Sequence, residues 1–171
     1  MHSTHRPIDW RHTPAAIWRG RSQTLRPVPH PDPVRLDDLL GIATQKAKLV
    51  QNTERFLAGQ PCNHVLLWGS RGTGKSSIVK ALLNEYSARG LRVIEVDKDD
   101  LHDLPGIVDD IRDRSQRFII YCDDLSFEDG ENQYKHLKSV LEGSLELPPE
   151  NVRIYATSNR RHLLPEYMKD N

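Results

Sequence analysis

Short apolar runs alternate with amphipathic segments along most of the chain. Four runs have the length of buried strands, at residues 64–68 (HVLLW), 91–96 (LRVIEV), 118–122 (FIIYC) and 152–157 (VRIYAT). Segments with helical spacing of apolar residues cover about 36–59, 75–89, 106–114 and 134–145. Because strands that alternate with helices form βαβ units, the pattern predicts an α/β fold with a mainly parallel sheet.

The first 35 residues follow a different pattern. Six of the 11 prolines lie in residues 1–33, and Pro27, Pro29, Pro31 and Pro33 alternate with other residues. Each proline lacks an N–H and disfavours helix in the residue before it. The sequence therefore predicts an extended, polyproline-like arm over 1–35, followed by a domain over 36–171.

Charge and composition exclude several classes of protein. The 171 residues have a net charge of +0, divided into +4 for the six arginines and two aspartates of residues 1–35 and −4 for the rest. The basic arm is either a solvated segment or a contact for DNA or an acidic partner. The apolar runs are far shorter than the ~20 residues of a membrane span, and two cysteines make no disulfide framework. With no apolar signal segment at the start of the chain, we expect a cytoplasmic protein without a membrane partner.

A phosphate-binding loop follows the first predicted strand. The sequence matches G-x-x-x-x-G-K-[ST] at every fixed position, between a strand and a helix. We expect the backbone N–H groups to hold phosphate oxygens, Lys75 to reach the β- and γ-phosphates, and Ser76 to ligate Mg²⁺. The alternatives are a glycine-rich turn with an incidental lysine, or a degenerate site. Arg71 either faces solvent or contacts a phosphate or a neighbouring subunit. The loop residues are Gly69, Ser70, Arg71, Gly72, Thr73, Gly74, Lys75 and Ser76.

Two acids follow the third predicted strand, in the pattern called Walker B. We expect Asp123 to hold Mg²⁺ and Asp124 to act as the general base for the attacking water. The alternative for Asp124 is a capping or loop carboxylate. Asn159, after the fourth strand, is expected to orient the water or contact the γ-phosphate, or else to stabilise a turn. Arg160 and Arg161 are either arginine fingers that act in trans or basic surface.

These segments resemble a known family. DLLG, GSRGTGKSS, CDD and ATSNRR are similar in content and order to the motifs of AAA+ ATPases, the additional-strand class of P-loop proteins. The longer words, including WGSRGTGKSSIVKALLNEY and YATSNRRHLLPEYM, resemble the bacterial family known as domain of unknown function 815, over about residues 33–171. The resemblance implies a three-layer P-loop fold. It also implies an adenine pocket at Leu40, Gly41 and Ile42, a Walker A motif that extends to Ser77, and sensor 1 at Asn159.

The resemblance also implies departures from the family pattern. AAA+ sheets have the strand order 5-1-4-3-2, whereas the chain ends twelve residues after Asn159. We therefore expect a fragment without the last strand and the helical lid, in which the phosphate-loop strand is an exposed edge. The Asp-Asp pair stands where most relatives have Asp-Glu, and the shorter acid is expected to slow hydrolysis.

The sequence favours an ATP-binding AAA+-like domain with Mg²⁺-dependent hydrolysis. ATP is favoured over GTP because no N-K-x-D motif is present. The alternative is a nucleotide-gated module that binds ATP with little turnover and contacts DNA or a protein partner. A small-molecule kinase shares the phosphate loop, but no acceptor pocket or lid is evident in the sequence. A homo-oligomer is expected only from the resemblance.

Overall fold

The computed structural model describes residues 7–69, 75–125, 130–142, 145 and 147–159, which form six strands and four α-helices. The strands are β1 (Ala15–Arg19), β2 (Thr24–Val28), β3 (Val65–Gly69), β4 (Leu91–Glu95), β5 (Arg117–Leu125) and β6 (Val152–Asn159). The helices are α1 (Ala43–Leu57), α2 (Lys75–Tyr86), α3 (Leu104–Ile111) and α4 (Gly130–Glu142). Short 3-10 helices lie at Leu36–Asp38, Ser87–Arg89 and Lys98–Asp103.

The six strands form one sheet in the order β2-β1-β4-β5-β6-β3. All neighbouring strands are parallel except in the antiparallel β1–β2 hairpin. Each of the four predicted apolar runs is a strand of this sheet. The prediction of an α/β fold with a mainly parallel sheet is therefore confirmed.

Helices cover both faces of the sheet and make the predicted three layers. Successive strand residues face opposite sides, so that Leu66 and Val65 belong to different cores. On one face the sheet packs against α3 and α4, through Leu104, Ile107, Ile111, Tyr134, Leu137 and Leu141. On the other face it packs against α1 and α2, through Leu49, Phe56, Ile78, Val79 and Leu82. The apolar spacing of each helix therefore follows from burial of one side only.

The first predicted helix is interrupted. Residues 36–59 divide into the 3-10 helix Leu36–Asp38, a turn at Gly41, and α1 from Ala43 onward. Gly41 has φ +82°, a left-handed conformation that ends a helix and that glycine adopts without steric cost. The predicted stop at Gly59 is confirmed, because α1 ends at Leu57 and Gly59 has φ +73°.

The expected extended arm over residues 1–35 is wrong for residues 15–28, which form the β1–β2 hairpin of the sheet. Strand β1 pairs in parallel with β4 and so extends the sheet by two strands. Pro27 lies in β2, at the edge of the sheet, where the missing N–H breaks no hydrogen bond to a further strand. Of the six prolines, Pro27 alone lies in this edge strand, and its presence does not prevent residues 24–28 from joining the sheet.

Two side chains fix this hairpin to the rest of the domain. The indole N–H of Trp18 donates to Asp103 at 2.9 Å, and Gln23 donates to the same carboxylate at 3.1 Å. Both hydrogen bonds stabilise the negative charge of Asp103 and therefore lower the pKa of this carboxyl group. The hairpin is thus tied to the turn that leads into α3.

The phosphate-loop strand β3 lies at the opposite edge and pairs with β6. The order β3-β6-β5-β4 is the 1-4-3-2 portion of the strand order that the resemblance implies, and this expectation is confirmed. Within the part of the chain that the structure describes, no strand pairs with the other side of β3. The order places the carboxyl ends of β3, β6 and β5 side by side, where ligands bind in sheets of this type.

Candidate functional site

The first turn of α2 meets the carboxyl end of β5. The hydroxyl of Ser76 donates to Asp123 Oδ1 at 3.0 Å, although the two residues are 47 positions apart in the sequence. Asp123 lies in β5, and β6 separates that strand from β3, yet the parallel register brings all three strand ends to one side of the sheet. The structure therefore brings together the two residues that were predicted to ligate Mg²⁺.

Strand β5 has a bulge at the acidic pair. Cys122 pairs with Ala156 and Leu125 pairs with Ser158, so that two residues of β5 lie opposite Thr157 alone. The second of them, Asp124, has φ +59°. Bulges of this kind reorient side chains at the ends of strands and are frequent beside active sites. The sequence placed the end of this strand at Cys122, whereas the structure continues it through the bulge to Leu125.

Thr157 connects both aspartates to β6. Its hydroxyl donates to Asp123 Oδ1 at 2.5 Å and accepts the backbone N–H of Asp124 at 2.8 Å. The side chain is buried, with 2% of its surface exposed. Sequence reasoning assigned no role to Thr157. The available signal was a polar residue at the end of an apolar strand, close to the predicted Asn159.

Two more ionisable groups face the same end of the sheet. Loss of solvation and the negative charge of Asp123 raise the pKa of the Glu95 carboxyl group, and Lys80 partly offsets this shift. Burial raises the pKa of Tyr121 above its usual range, and the Asp123 charge adds to the effect. Loss of solvation is the main cause of both shifts, and their Coulombic part comes from the negative charge of Asp123 at this end of the sheet.

The donor atoms fit a magnesium ion. Mg²⁺ prefers hard oxygen ligands in octahedral geometry at about 2.1 Å, which places adjacent ligands about 3.0 Å apart. The Ser76 and Asp123 oxygens have this separation, and both side chains are exposed. Among the described residues, no group of three or more His, Cys, Asp or Glu side chains could hold a metal. A magnesium ion here would take its remaining ligands from water and from a bound phosphate.

The proposed adenine segment combines exposed and buried residues. Leu40 is 87% exposed, whereas Ile42 is 6% exposed and packs in the same core as α2. Lys46 donates to the carbonyl oxygens of Leu36 and Leu39, which holds the segment against the start of α1. The turn at Gly41 therefore places the exposed side chain of Leu40 close to the start of α1.

Other predicted site residues are placed only in part. Gly69 ends β3 and pairs in register with Asn159 of β6, and Lys75 begins α2, but the side chains of Lys75 and Asn159 lie outside the described part. Ser77 is half-buried in the first turn of α2. Predicted residues outside the described ranges are Ser70, Arg71, Gly72, Thr73, Gly74, Arg160 and Arg161.

The strand order and the phosphate-loop context define an α/β domain of the P-loop class. Residues 11–171 match the family model described as "Protein of unknown function (DUF815)", and the chain belongs to this family. The match begins before β1 rather than near residue 33. The β1–β2 hairpin therefore lies within the family domain.

Similarity to characterised proteins covers parts of their chains. The replication factor C large subunit of Staphylothermus marinus is 35% identical over 69 residues, which cover 40% of this chain and 16% of that protein. AMPPCP-bound DnaA from Aquifex aeolicus is 22% identical, over 74% of this chain and 42% of that one, with a TM-score of 0.46. A RuvB mutant from Thermotoga maritima is 17% identical, over 76% and 42% of the two chains, with a TM-score of 0.45. The chain thus spans less than half the length of each.

Within the described residues, no helix is both long and apolar enough to cross a membrane.

Proposed function

We propose that this chain binds ATP together with Mg²⁺ and that it is the nucleotide-binding part of an AAA+-type ATPase. The observation that carries the proposal is the 3.0 Å contact between Ser76, directly after the G-x-x-x-x-G-K sequence, and Asp123, at the end of a buried strand. In P-loop proteins a hydroxyl and a carboxylate in this relation hold the magnesium ion of the bound nucleotide. An ordinary strand-to-helix turn requires neither group.

The predicted site residues would bind different parts of the nucleotide and its magnesium ion. The loop 69–74 supplies N–H groups and Lys75 supplies a positive charge for the β- and γ-phosphates. Ser76 and Asp123 would hold Mg²⁺, which would neutralise phosphate charge when bound. Leu40 offers an exposed apolar side chain to the base, next to Gly41 and Ile42.

Hydrolysis is the proposed reaction. Asp124 accepts a proton from water as the water oxygen bonds to the γ-phosphorus, and the bond from that phosphorus to the β,γ-bridging oxygen breaks, with ADP as the leaving group. Asn159 orients the water. The register that pairs Asn159 with Gly69 supports this role, because it sets the residue beside the start of the phosphate loop.

Nucleotide binding is tested by titration calorimetry with ATP and Mg²⁺. Lys75→Ala should abolish binding, since the phosphates lose their cation. Lys48→Ala, an exposed lysine on α1, is the matched control and should bind as the wild type does. Equal affinity of Lys75→Ala and wild type would refute the phosphate-loop assignment, and stronger binding of GTP would refute the choice of ATP.

Turnover is a separate question, answered by phosphate release over a range of protein concentrations. AAA+ sites form between subunits, so a specific rate that rises with concentration would support a homo-oligomer. Binding without phosphate release at any concentration would favour the alternative, a nucleotide-gated module for a protein or DNA partner. This alternative is tested because the chain covers only 16% and 42% of two characterised relatives.

A further inference from the structure

We infer that Thr157 is a positioning residue for the metal site, because its hydroxyl holds Asp123 towards Ser76 and fixes the backbone of Asp124 in the β5 bulge. The inference rests on the proposed function and adds a residue to it. Neither the phosphate-loop motif nor the acidic pair requires a threonine at this place.

The direction of the two Thr157 hydrogen bonds is fixed by chemistry. The Asp124 N–H can only donate, so Thr157 Oγ1 must accept that bond at 2.8 Å. The single hydroxyl proton is then left for Asp123 Oδ1, which accepts it at 2.5 Å. A hydroxyl can satisfy both partners at once, whereas a methyl group in the same place satisfies neither.

The bulge creates the need for this residue. Without a bulge, the N–H of Asp124 would follow the regular ladder between β5 and β6. Because Asp123 and Asp124 together face Thr157, the ladder is interrupted and the N–H bonds to the Thr157 side chain instead. The left-handed φ of Asp124 is thereby stabilised from the neighbouring strand.

The same carboxylate oxygen joins Thr157 to the metal site. Asp123 Oδ1 accepts from Thr157 and from Ser76, so one buried and one exposed hydroxyl fix the orientation of the carboxylate. Ser76 donates its proton to Asp123 and keeps its lone pairs for a cation. Hydrogen-bond partners that orient metal ligands typically change metal affinity by about 10- to 100-fold when removed.

The test compares three variants. Thr157→Val removes the hydroxyl at constant shape, and Thr157→Ser restores it. Thr53→Val is the matched control, since Thr53 is fully buried and its hydroxyl bonds to the Tyr155 hydroxyl at 2.8 Å, away from the aspartates. All three are compared with wild type for ATP affinity in EDTA and for the Mg²⁺ concentration that gives half of the magnesium-dependent increase in ATP binding.

We expect Thr157→Val to raise the half-saturating Mg²⁺ concentration about tenfold or more, with ATP affinity in EDTA unchanged. Thr157→Ser and Thr53→Val should stay near wild type. A wild-type Mg²⁺ requirement in Thr157→Val, or an equal defect in Thr157→Ser, would overturn the inference. If wild type itself binds no ATP, the proposed function fails first, and the two failures are thereby distinguished.

A second readout uses the protein without nucleotide or metal. Amide hydrogen exchange at Asp124, followed by NMR, should be faster in Thr157→Val than in wild type and restored in Thr157→Ser. Should Thr157→Val not fold, Thr157→Cys replaces it, because a thiol has similar volume and is a weaker donor. Unchanged protection of the Asp124 amide in a folded variant without the hydroxyl would contradict the inference.

Discussion

The buried guanidinium of Arg92 donates to the carbonyl oxygen of Trp10 at 2.7 Å, across 82 positions of sequence. It also donates to the carbonyl oxygens of Arg11, Ser87 and Leu91, so that one side chain in β4 satisfies four main-chain acceptors. Trp10 in turn packs edge-on against Phe118, with ring centroids 4.9 Å apart. Arg92 and the Trp10–Phe118 contact therefore both join the segment before β1 to the centre of the sheet.

Arg92→Lys should destabilise the domain by about 3 kcal/mol. The lysine keeps the charge, but its three N–H groups on one nitrogen cannot reach acceptors that a planar fork reaches, and buried carbonyls lose partners. Urea unfolding measures the change in free energy. Arg26→Lys, at an exposed position of β2, is the control and should stay within about 0.5 kcal/mol of wild type. Equal free energies of unfolding for Arg92→Lys and Arg26→Lys would show that the hydrogen bonds of the Arg92 guanidinium do not stabilise the domain.

The features that could be predicted from the sequence are those that depend on a few neighbouring residues. The strands that carry Trp68, Ile94, Ile120 and Ile154 are buried between two helical layers. Because both of their faces are buried, almost all of their residues are apolar, and such runs can be recognised in the sequence. Ser76 and Asp123 were predicted because the motif and the acidic strand end each lie within a few residues of sequence. Because the carboxyl ends of parallel strands lie at one edge of a sheet, the sequence also predicts that these two side chains lie close together.

The β1–β2 hairpin and the role of Thr157 could not be predicted from the sequence, for different physical reasons. The alternating prolines that include Pro27 are typical of an extended arm. The hairpin is held by Asp103, and the segment before it by Arg92, and both of these partners are distant in sequence. The role of Thr157 depends on a bulge in β5, and a bulge is a property of the register between two strands rather than of either sequence. The spacing of apolar and polar residues along the chain does not determine the register between β5 and β6.

The left-handed backbone of Asp124 predicts an unusual order of stability among its variants. At φ +59° a side chain with a β-carbon is strained, Asp and Asn tolerate the strain best, and glycine avoids it. Asp124→Gly should therefore be more stable than Asp124→Ala by about 1 kcal/mol, opposite to the usual preference for alanine in regular structure. Urea unfolding of both variants measures the difference, and a more stable alanine variant would contradict it.

The left-handed conformation of Asp124 also determines which variant best tests its proposed role as the general base. Asp124→Asn keeps the tolerance for the left-handed conformation and removes only the ability to accept a proton. We expect it to bind ATP as wild type does and to lose any phosphate release. Retained turnover in Asp124→Asn would identify another group as the base.

His64, the residue directly before β3, is a buried histidine whose side chain bonds to the backbone of β6. Its Nδ1 accepts the backbone N–H of Ile154 at 3.0 Å, which requires an unprotonated nitrogen. Burial lowers the pKa of this imidazole to about 3, and the positive charges of Arg153 and Lys138 act in the same direction. The unfolded chain has no such constraint, and its histidine takes up a proton near pH 6.5.

Between about pH 6.5 and pH 3, the unfolded state therefore binds one more proton at His64 than the folded state does, and stability falls as the pH falls. At pH 5 the loss relative to pH 8 from this residue should be about 2 kcal/mol. His64→Asn, whose amide oxygen accepts the same N–H without titrating, should lose that much less over the range in urea unfolding. His136→Asn, at an exposed position of α4, is the control and should follow the wild-type curve. Parallel curves for wild type and His64→Asn would show that His64 takes up a proton in the folded protein at its ordinary pH.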